Sequence, residues 1–247
     1  MRSAILGGLL ILAGASAAAG EETGPRTAPV LVELFTSQGC SSCPPADAFA
    51  GELRRRDDVL VLSFHVNYWD YIGWRDPFAT QETTRRQRAY ARTLQIGNVY
   101  TPQMVIDGSF QAIGSDVSAV NQAITLAAKH RLASLPVEFD LVHRSVLRVK
   151  VGDGDYVGSA DVFLIQFDDE RRTNVLRGEN AGHELVNFNV VRDMRKIGMW
   201  NGASTQFDIA WSDIADSGFN GCAVLVQAAG QGPVLAVAPL DIGMARR

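Results

Sequence analysis

Two cysteines separated by two residues, Cys40 and Cys43, stand where an apolar run (Pro29 to Phe35) gives way to a segment with helical spacing (Ala46 to Arg56). A thiol at a helix N-terminus faces unpaired backbone N–H groups and the positive end of the helix dipole, and both favour thiolate over thiol. Such placement lowers a cysteine pKa from about 8.5 to roughly 3.5–7.5. A second cysteine one turn on can then resolve a mixed disulfide formed at the first. The spacing therefore suits a dithiol–disulfide switch. Two other chemistries fit the same residues. The pair can be a static structural bridge, or it can hold a soft ion such as Cu(I), with His65 as a third donor.

Other residue types with chemical potential lie downstream. Thr101-Pro102 opens an apolar run that ends in Asp107-Gly108, the signature of a hairpin turn. Asn67 to Ala79 is an aromatic loop with Tyr68, Trp69, Tyr71, Trp74 and Phe78. Its rings either seal the loop onto the domain or line a substrate groove near the cysteines, in which case Trp69 and Tyr71 are its candidate contacts. His65, at the end of an apolar run, reads as a satisfied structural histidine, with a proton shuttle or copper ligand as the alternative. Arg85, Arg86, Arg88 and Arg92 read as a solvated helix face. Glu179, Asn180, His183, Asn187, Asn189 and Arg192 form an unusual polar cluster among strands, open to turn chemistry or to a supporting role beside the cysteines. Cys222 lies in an apolar run and reads as a small hydrophobe.

These residues need elements to position them. Val59 to Val66 follows the first strand and helix, giving a strand–helix–strand unit and hence a parallel pair. Gln81 to Leu94 reads as a polar helix, and Asp116 to Ala133 as a helix with an apolar face. From Leu135 onward the texture is of strands: Val137 to Leu141, Val146 to Val151, Ala160 to Ile165, Leu185 to Val191, Thr205 to Ile209, Cys222 to Ala228 and Val234 to Ala238. The fold class expected is an α/β domain over residues 28–133 and a smaller, mainly antiparallel, sandwich-like β domain over 134–247.

Length and composition set the frame. The chain has 247 residues, 47% of them hydrophobic, with a net charge of −4. The absence of a basic excess sets nucleic-acid binding aside. Arg2, the apolar Ala4 to Ala13 and the small residues up to Ala19 read as a signal peptide over residues 1–19. Export to the periplasm or medium, with no membrane insertion after cleavage, is the expectation. That places three cysteines in a compartment where disulfides persist.

The order strand, Cys-x-x-Cys, helix, strand, helix, Thr-Pro, hairpin, helix resembles the thioredoxin-like superfamily. The run Val32 to Asp47, together with Tyr68-Trp69-Asp70-Tyr71, Tyr100-Thr101-Pro102-Gln103-Met104 and Gly178-Glu179-Asn180, is similar to a secreted bacterial family catalogued as domain of unknown function 1223. The superfamily resemblance implies that Cys40 attacks, Cys43 resolves, and Pro102 is a cis-proline facing the disulfide. It implies that Thr101 and Pro102 present backbone groups to an extended substrate. Ser41-Ser42 matches neither the Gly-Pro of thioredoxin nor the Pro-His of strong periplasmic oxidants, which leaves the direction of electron flow open. The expected function is exported thiol–disulfide exchange with protein or small thiol substrates, needing no cofactor but needing a redox partner that recycles the pair. The alternatives are Cu(I) binding or delivery through Cys40 and Cys43, and a non-catalytic binding module with a structural disulfide.

Overall fold

The computed structural model describes residues 28–130 and 135–242. The expected signal peptide, the last residues of the helix expected to reach Ala133, and the boundary near Ser134 fall outside the described residues.

Strands β1 (Val30–Thr36) and β2 (Val59–His65) are buried along their whole length, as expected of runs without a polar face. They pair in parallel, Val30 beside Val59 through to Thr36 beside His65. Between them lies α1 (Pro44–Leu53), which packs Ala46, Phe49, Ala50 and Leu53 inward. Helix α2 (Gln81–Thr93) is entered through Thr80, whose hydroxyl accepts from the Thr83 N–H in a reciprocal cap. Strands β3 (Gln103–Ile106) and β4 (Phe110–Ile113) form the expected hairpin, with β3 antiparallel to β1. Helix α3 (Val117–His130) follows, its Ala119 N–H capped by Asp116.

The later strands are β5 (Val137–Val142), β6 (Val146–Val151), β7 (Ala160–Asn174), β8 (Glu184–Trp200), β9 (Thr205–Ala210), β10 (Gly221–Ala228) and β11 (Val234–Leu240), with the short helix α4 (Ser212–Ala215) before β10. The class is mixed α/β. Four of these strands extend the first sheet, giving the order β11-β10-β7-β8-β2-β1-β3-β4. The regions expected on either side of residue 134 thus share one eight-stranded sheet, joined where Ser63 of β2 meets Val190 of β8. Strands β5, β6 and β9 form a separate three-stranded sheet. Leu147, Val149 and Val151 of that sheet pack with Val162, Leu164, Cys222, Val224 and Val226 of the large one.

The opposite face of the large sheet carries one continuous cluster. It runs from Leu31, Phe35, Leu62 and Phe64 to Ile165, Ala223, Leu225 and Val237, with Tyr90 of α2 against it. The sheet curls round this cluster, and Val234 N–H donates to the Asp107 carbonyl at 2.9 Å. Within the curl lies a correction to the solvated-face reading of α2. Arg86 is buried and pairs with Glu33 of β1 through two of its nitrogens. It also donates to Tyr90 Oη at 3.0 Å and to Gln227 Oε1 at 3.1 Å. Burial works against the Arg86 charge, but Glu33 and Tyr90 outweigh it and hold the guanidinium above its ordinary pKa. Arg85, Arg88 and Arg92 are exposed, as expected.

The largest departure is in β7 and β8. They are far longer than the segments read from sequence, forming a hairpin paired from Ala160 with Trp200 to Asn174 with Glu184. Beyond the β2 contact this hairpin becomes an arm lying over α1. Asn189, in the left-handed region at φ 46°, turns the strand there and donates to the Val61 carbonyl at 2.8 Å. Phe188 then packs so closely on α1 that a Cβ on Gly51 would stand 2.4 Å from its ring.

Candidate functional site

Strand β1 stops at Thr36, and residues 37–42 form the loop that carries the first cysteine. The loop is built from consecutive turns: Cys40 N–H donates to the Ser37 carbonyl at 3.1 Å and Cys43 N–H to the Cys40 carbonyl at 3.2 Å. Cys40 and Cys43 are joined as a disulfide with their Cα atoms 5.4 Å apart. This is the carboxyl end of the parallel β1–β2 pair, where open α/β sheets generally place their ligands.

The start of α1 differs from the expectation in one respect that matters for the sulfur atoms. Cys43 is the cap residue, and Pro44 and Pro45, which have no N–H, fill the first helical positions. The next two N–H groups, of Ala46 and Asp47, both go to the Cys43 carbonyl at 2.9 and 3.1 Å. The helix therefore offers its dipole to the cysteines but none of these four positions supplies a free N–H. A hydroxyl is present instead, Ser42 Oγ at 3.3 Å from Cys40 Sγ.

Gln38 is the hub that fixes the loop. Its backbone N–H donates to Asp76 Oδ2 at 2.8 Å, and its side-chain nitrogen to Thr173 Oγ1 and Asn187 Oδ1, each at 3.0 Å. Trp74 Nε1 donates to its side-chain oxygen at 3.1 Å. Asp76 in turn lies 2.7 Å from His65 Nδ1, both side chains being fully buried. Burial opposes charge on His65, yet Asp76 and then Asp47 more than offset it, and its pKa lies above the usual histidine value. Asp76 is likewise opposed by burial but held below the ordinary carboxylate value by His65. Asp47, one turn beyond Cys43 and hydrogen-bonded by Thr36 Oγ1 at 2.9 Å, is pushed by burial up to about 7. The remaining ring nitrogen of His65, Nε2, is buried without a partner.

The sequence-predicted residues fall on both sides of this loop. The Thr101–Pro102 peptide is cis. It directly precedes Gln103, which pairs with Phe35 near the end of β1, so it stands beside the start of the cysteine loop. Trp69 Nε1 donates to Thr101 Oγ1 at 2.7 Å. The Trp69 backbone and Cβ lie so close to Gly39 that a Cβ there would stand 3.1 Å away, which accounts for glycine before Cys40. Trp69 thus ties the cysteine loop to the proline loop. Tyr71 is 81% exposed and stands apart from these contacts. His65 is engaged with Asp76, and among the described residues no three His, Cys, Asp or Glu side chains gather as a metal-holding group. The ligand set Cys40, Cys43 and His65 is therefore not assembled. Cys222 is buried in β10, where burial pushes its thiol up to about 12.

Of the polar cluster left open above, Glu179, Asn180 and Asn187 do reach the site. Asn180 Nδ2 donates to the carbonyls of Gln38 and Cys40 at 2.9 and 3.0 Å, and Ser41 N–H donates to Glu179 Oε2 at 3.2 Å. Gln38, Asp47 and Asp76 were not singled out in the sequence. Asp47 alone carried a local signal, as a carboxylate among the inward residues Ala46, Phe49 and Ala50 of α1.

A family model described as "Protein of unknown function (DUF1223)" matches residues 31–227. The chain belongs to the DUF1223 family. The match spans the cysteine loop, the aromatic loop and the β7–β8 arm, so the whole site lies within the DUF1223 region. A crystal structure of an Agrobacterium tumefaciens protein is similar at 31% identity and a TM-score of 0.77, covering 90% of this chain and 97% of that one. HBP35 of Porphyromonas gingivalis is similar in fold, with a TM-score of 0.58 at 13% identity over 88% of this chain and 76% of that one. A comparison with curated proteins returned no match.

Proposed function

We propose that this DUF1223 member is an exported thiol–disulfide oxidoreductase whose exchanging pair is Cys40 and Cys43. The observation that carries the reading is the placement of the Cys40–Cys43 disulfide at the carboxyl end of β1 and the start of α1. The order of elements supports a thioredoxin-like first half. Strands β2-β1-β3-β4 run together with β1 and β2 parallel and β3 antiparallel, and α1 and α3 share one core cluster with them. The smaller three-stranded sheet, packed on the distal strands, supports a sandwich-like second half sharing the first sheet.

In the forward step a substrate thiolate attacks Cys40 Sγ. A substrate–Cys40 disulfide forms, the Cys40–Cys43 bond breaks, and Cys43 leaves as thiolate. A second substrate thiolate attacks the substrate sulfur of the mixed disulfide, releasing oxidised substrate and the Cys40 thiolate. Two electrons pass to the cysteine pair. Run backwards, the same steps reduce a substrate disulfide. Asp47, one helical turn from Cys43, is the acid–base group suited to managing the Cys43 proton, with His65 and Asp76 setting its charge environment. The pair's recycling falls to an external dithiol or disulfide partner.

The test is a Cys43→Ser variant, which leaves Cys40 unable to be resolved. Incubated with exported proteins, it is expected to accumulate mixed disulfides at Cys40 that a reductant dissolves, and the same chain with Cys40→Ser in addition is expected to accumulate none. Equal yields from the two overturn the assignment. Copper binding at one equivalent by reduced protein that exchanges no disulfide would instead favour metal delivery.

A further inference from the structure

Both cysteines are at 0% exposure, although Ser41 and Ser42 between them are exposed. The segment that meets the loop over them is the tip of the β7–β8 arm. Asn180 is buried against the loop and spends its amide on the Gln38 and Cys40 carbonyls, while Glu179 accepts from the Ser41 N–H. These are two main-chain acceptors and one main-chain donor of the cysteine loop itself. They are main-chain groups that the backbone of an adjoining polypeptide can also satisfy. The tip holds them with side chains.

The tip is also built to come away as a unit. Its own bonds are internal: Val175 N–H to the His183 carbonyl at 3.0 Å, Gly182 N–H to the Val175 carbonyl at 2.8 Å, and Ala181 N–H to the Gly178 carbonyl at 3.2 Å. Between Val175 and Leu185 the only buried residue is Asn180, and Leu176 is 76% exposed. Apart from the close approach of Gly178 to Trp74, then, the tip rests on the site through two polar side chains and little apolar burial. Segments of that kind open at the lowest free energies in a fold.

We propose that residues 176–183, beyond the buried Val175, are a displaceable strap that stands in for a polypeptide partner, so that the site serves an extended, cysteine-bearing polypeptide segment whose backbone takes over the bonds of Asn180 and Glu179. This deepens the oxidoreductase reading and rests on it. A small thiol such as glutathione is too short to replace all three of these bonds and must wait for spontaneous opening. An extended segment exchanges its own N–H and C=O groups for those of the strap as it enters, and its thiolate then attacks Cys40 Sγ as described above.

The experiment compares the rates at which glutathione and a synthetic ten-residue peptide with one central cysteine reduce the oxidised full-length protein, at equal thiolate concentration. The wild-type chain is expected to react faster with the peptide. Asn180→Ala removes two hydrogen bonds, each worth a factor of about 2–10, and is expected to speed glutathione by about 4- to 100-fold while narrowing the peptide's advantage. Glu179→Lys, at an exposed position outside any core, is expected to act in the same direction with a smaller effect, which guards against an Asn180 variant that misfolds. Glutathione rates equal in the wild-type and both variants overturn the strap while leaving exchange intact. A disulfide that neither thiol reduces in any of the three proteins overturns the exchange reading, and the strap with it.

Discussion

Asp47 and His65 are buried acid–base groups of one neighbourhood, and folding biases both toward their protonated forms. Burial raises Asp47 to about 7, and Asp76 with Asp47 holds His65 above its usual value. A raised folded pKa gives stability that is complete below the unfolded value and is lost as pH climbs through the folded one. Asp47 therefore gives up its contribution between about pH 4 and 7, and His65 gives up its own as pH rises above about 6.5. Asp76 works the other way: its lowered pKa gives stability that disappears only as pH falls through the acid range below the ordinary carboxylate value. The melting temperature is expected to be highest near pH 4 and to fall as pH rises, through Asp47 between about pH 4 and 7 and through His65 above about pH 6.5. Asp47→Asn removes the loss that runs up to about pH 7, so its melting temperature should change less between pH 5.5 and 8.5 than that of the wild type. Identical pH profiles for the two proteins would reassign the titration to His65 alone.

At the level of elements, α1 and the β7–β8 arm are matched through one missing side chain. Gly51 lies in the middle of a helix, where replacing glycine by alanine ordinarily stabilises by about 0.5–1 kcal/mol. Here the new Cβ would meet the Phe188 ring at 2.4 Å, and Arg54 lies over that ring at 5.1 Å. Overpacking costs about 1–3 kcal/mol, so Gly51→Ala is expected to lower stability by roughly 1 kcal/mol net, measured by urea denaturation. A gain would mean that Phe188 yields freely. The same arm explains what the sequence could and could not disclose. Strands β1 and β2 were legible because burial on both faces leaves a nearly continuous apolar run, interrupted within by Glu33 and Ser63. The arm was not, because residues 169–174 face water on much of their surface and read as charge. Arg172, for example, meets Glu184 across the hairpin at 3.1 Å, and such cross-strand pairs write no apolar alternation into the strand. At the site, Cys40, Cys43, Thr101, Pro102 and Trp69 could be found because local spacing or family motif marks them. Asn180 was marked by the motif Gly178-Glu179-Asn180, but its meeting with Gln38 was not legible, since it joins residues 142 positions apart. The burial of Arg86 escapes a local reading for the same reason: its partner Glu33 lies 53 positions away.

Across the whole molecule, the eight-stranded sheet is held in its curl by a polar staple inside an apolar cluster. Glu33 on β1, Arg86 and Tyr90 on α2, and Gln227 on β10 bond to one another, and Gln227 also donates to the Gly232 carbonyl at 2.8 Å. The staple ties the first strands of the chain to nearly the last, closing the face opposite α1. A buried ion pair contributes little relative to well-packed apolar residues, but breaking it from one side strands a charge. Arg86→Met leaves the Glu33 carboxylate in the core with Tyr90 as its remaining donor in the staple, and is expected to cost about 3–5 kcal/mol. Because β1 and β10 belong to the same sheet, the loss should appear as one cooperative urea transition at a lower midpoint, rather than as early melting of either half. Adding Glu33→Leu to Arg86→Met removes the stranded charge and should recover most of the loss. If the double variant is no more stable than Arg86→Met alone, the staple acts through the shape of its side chains and their bonds to Tyr90 and Gln227, not through the pairing of its charges.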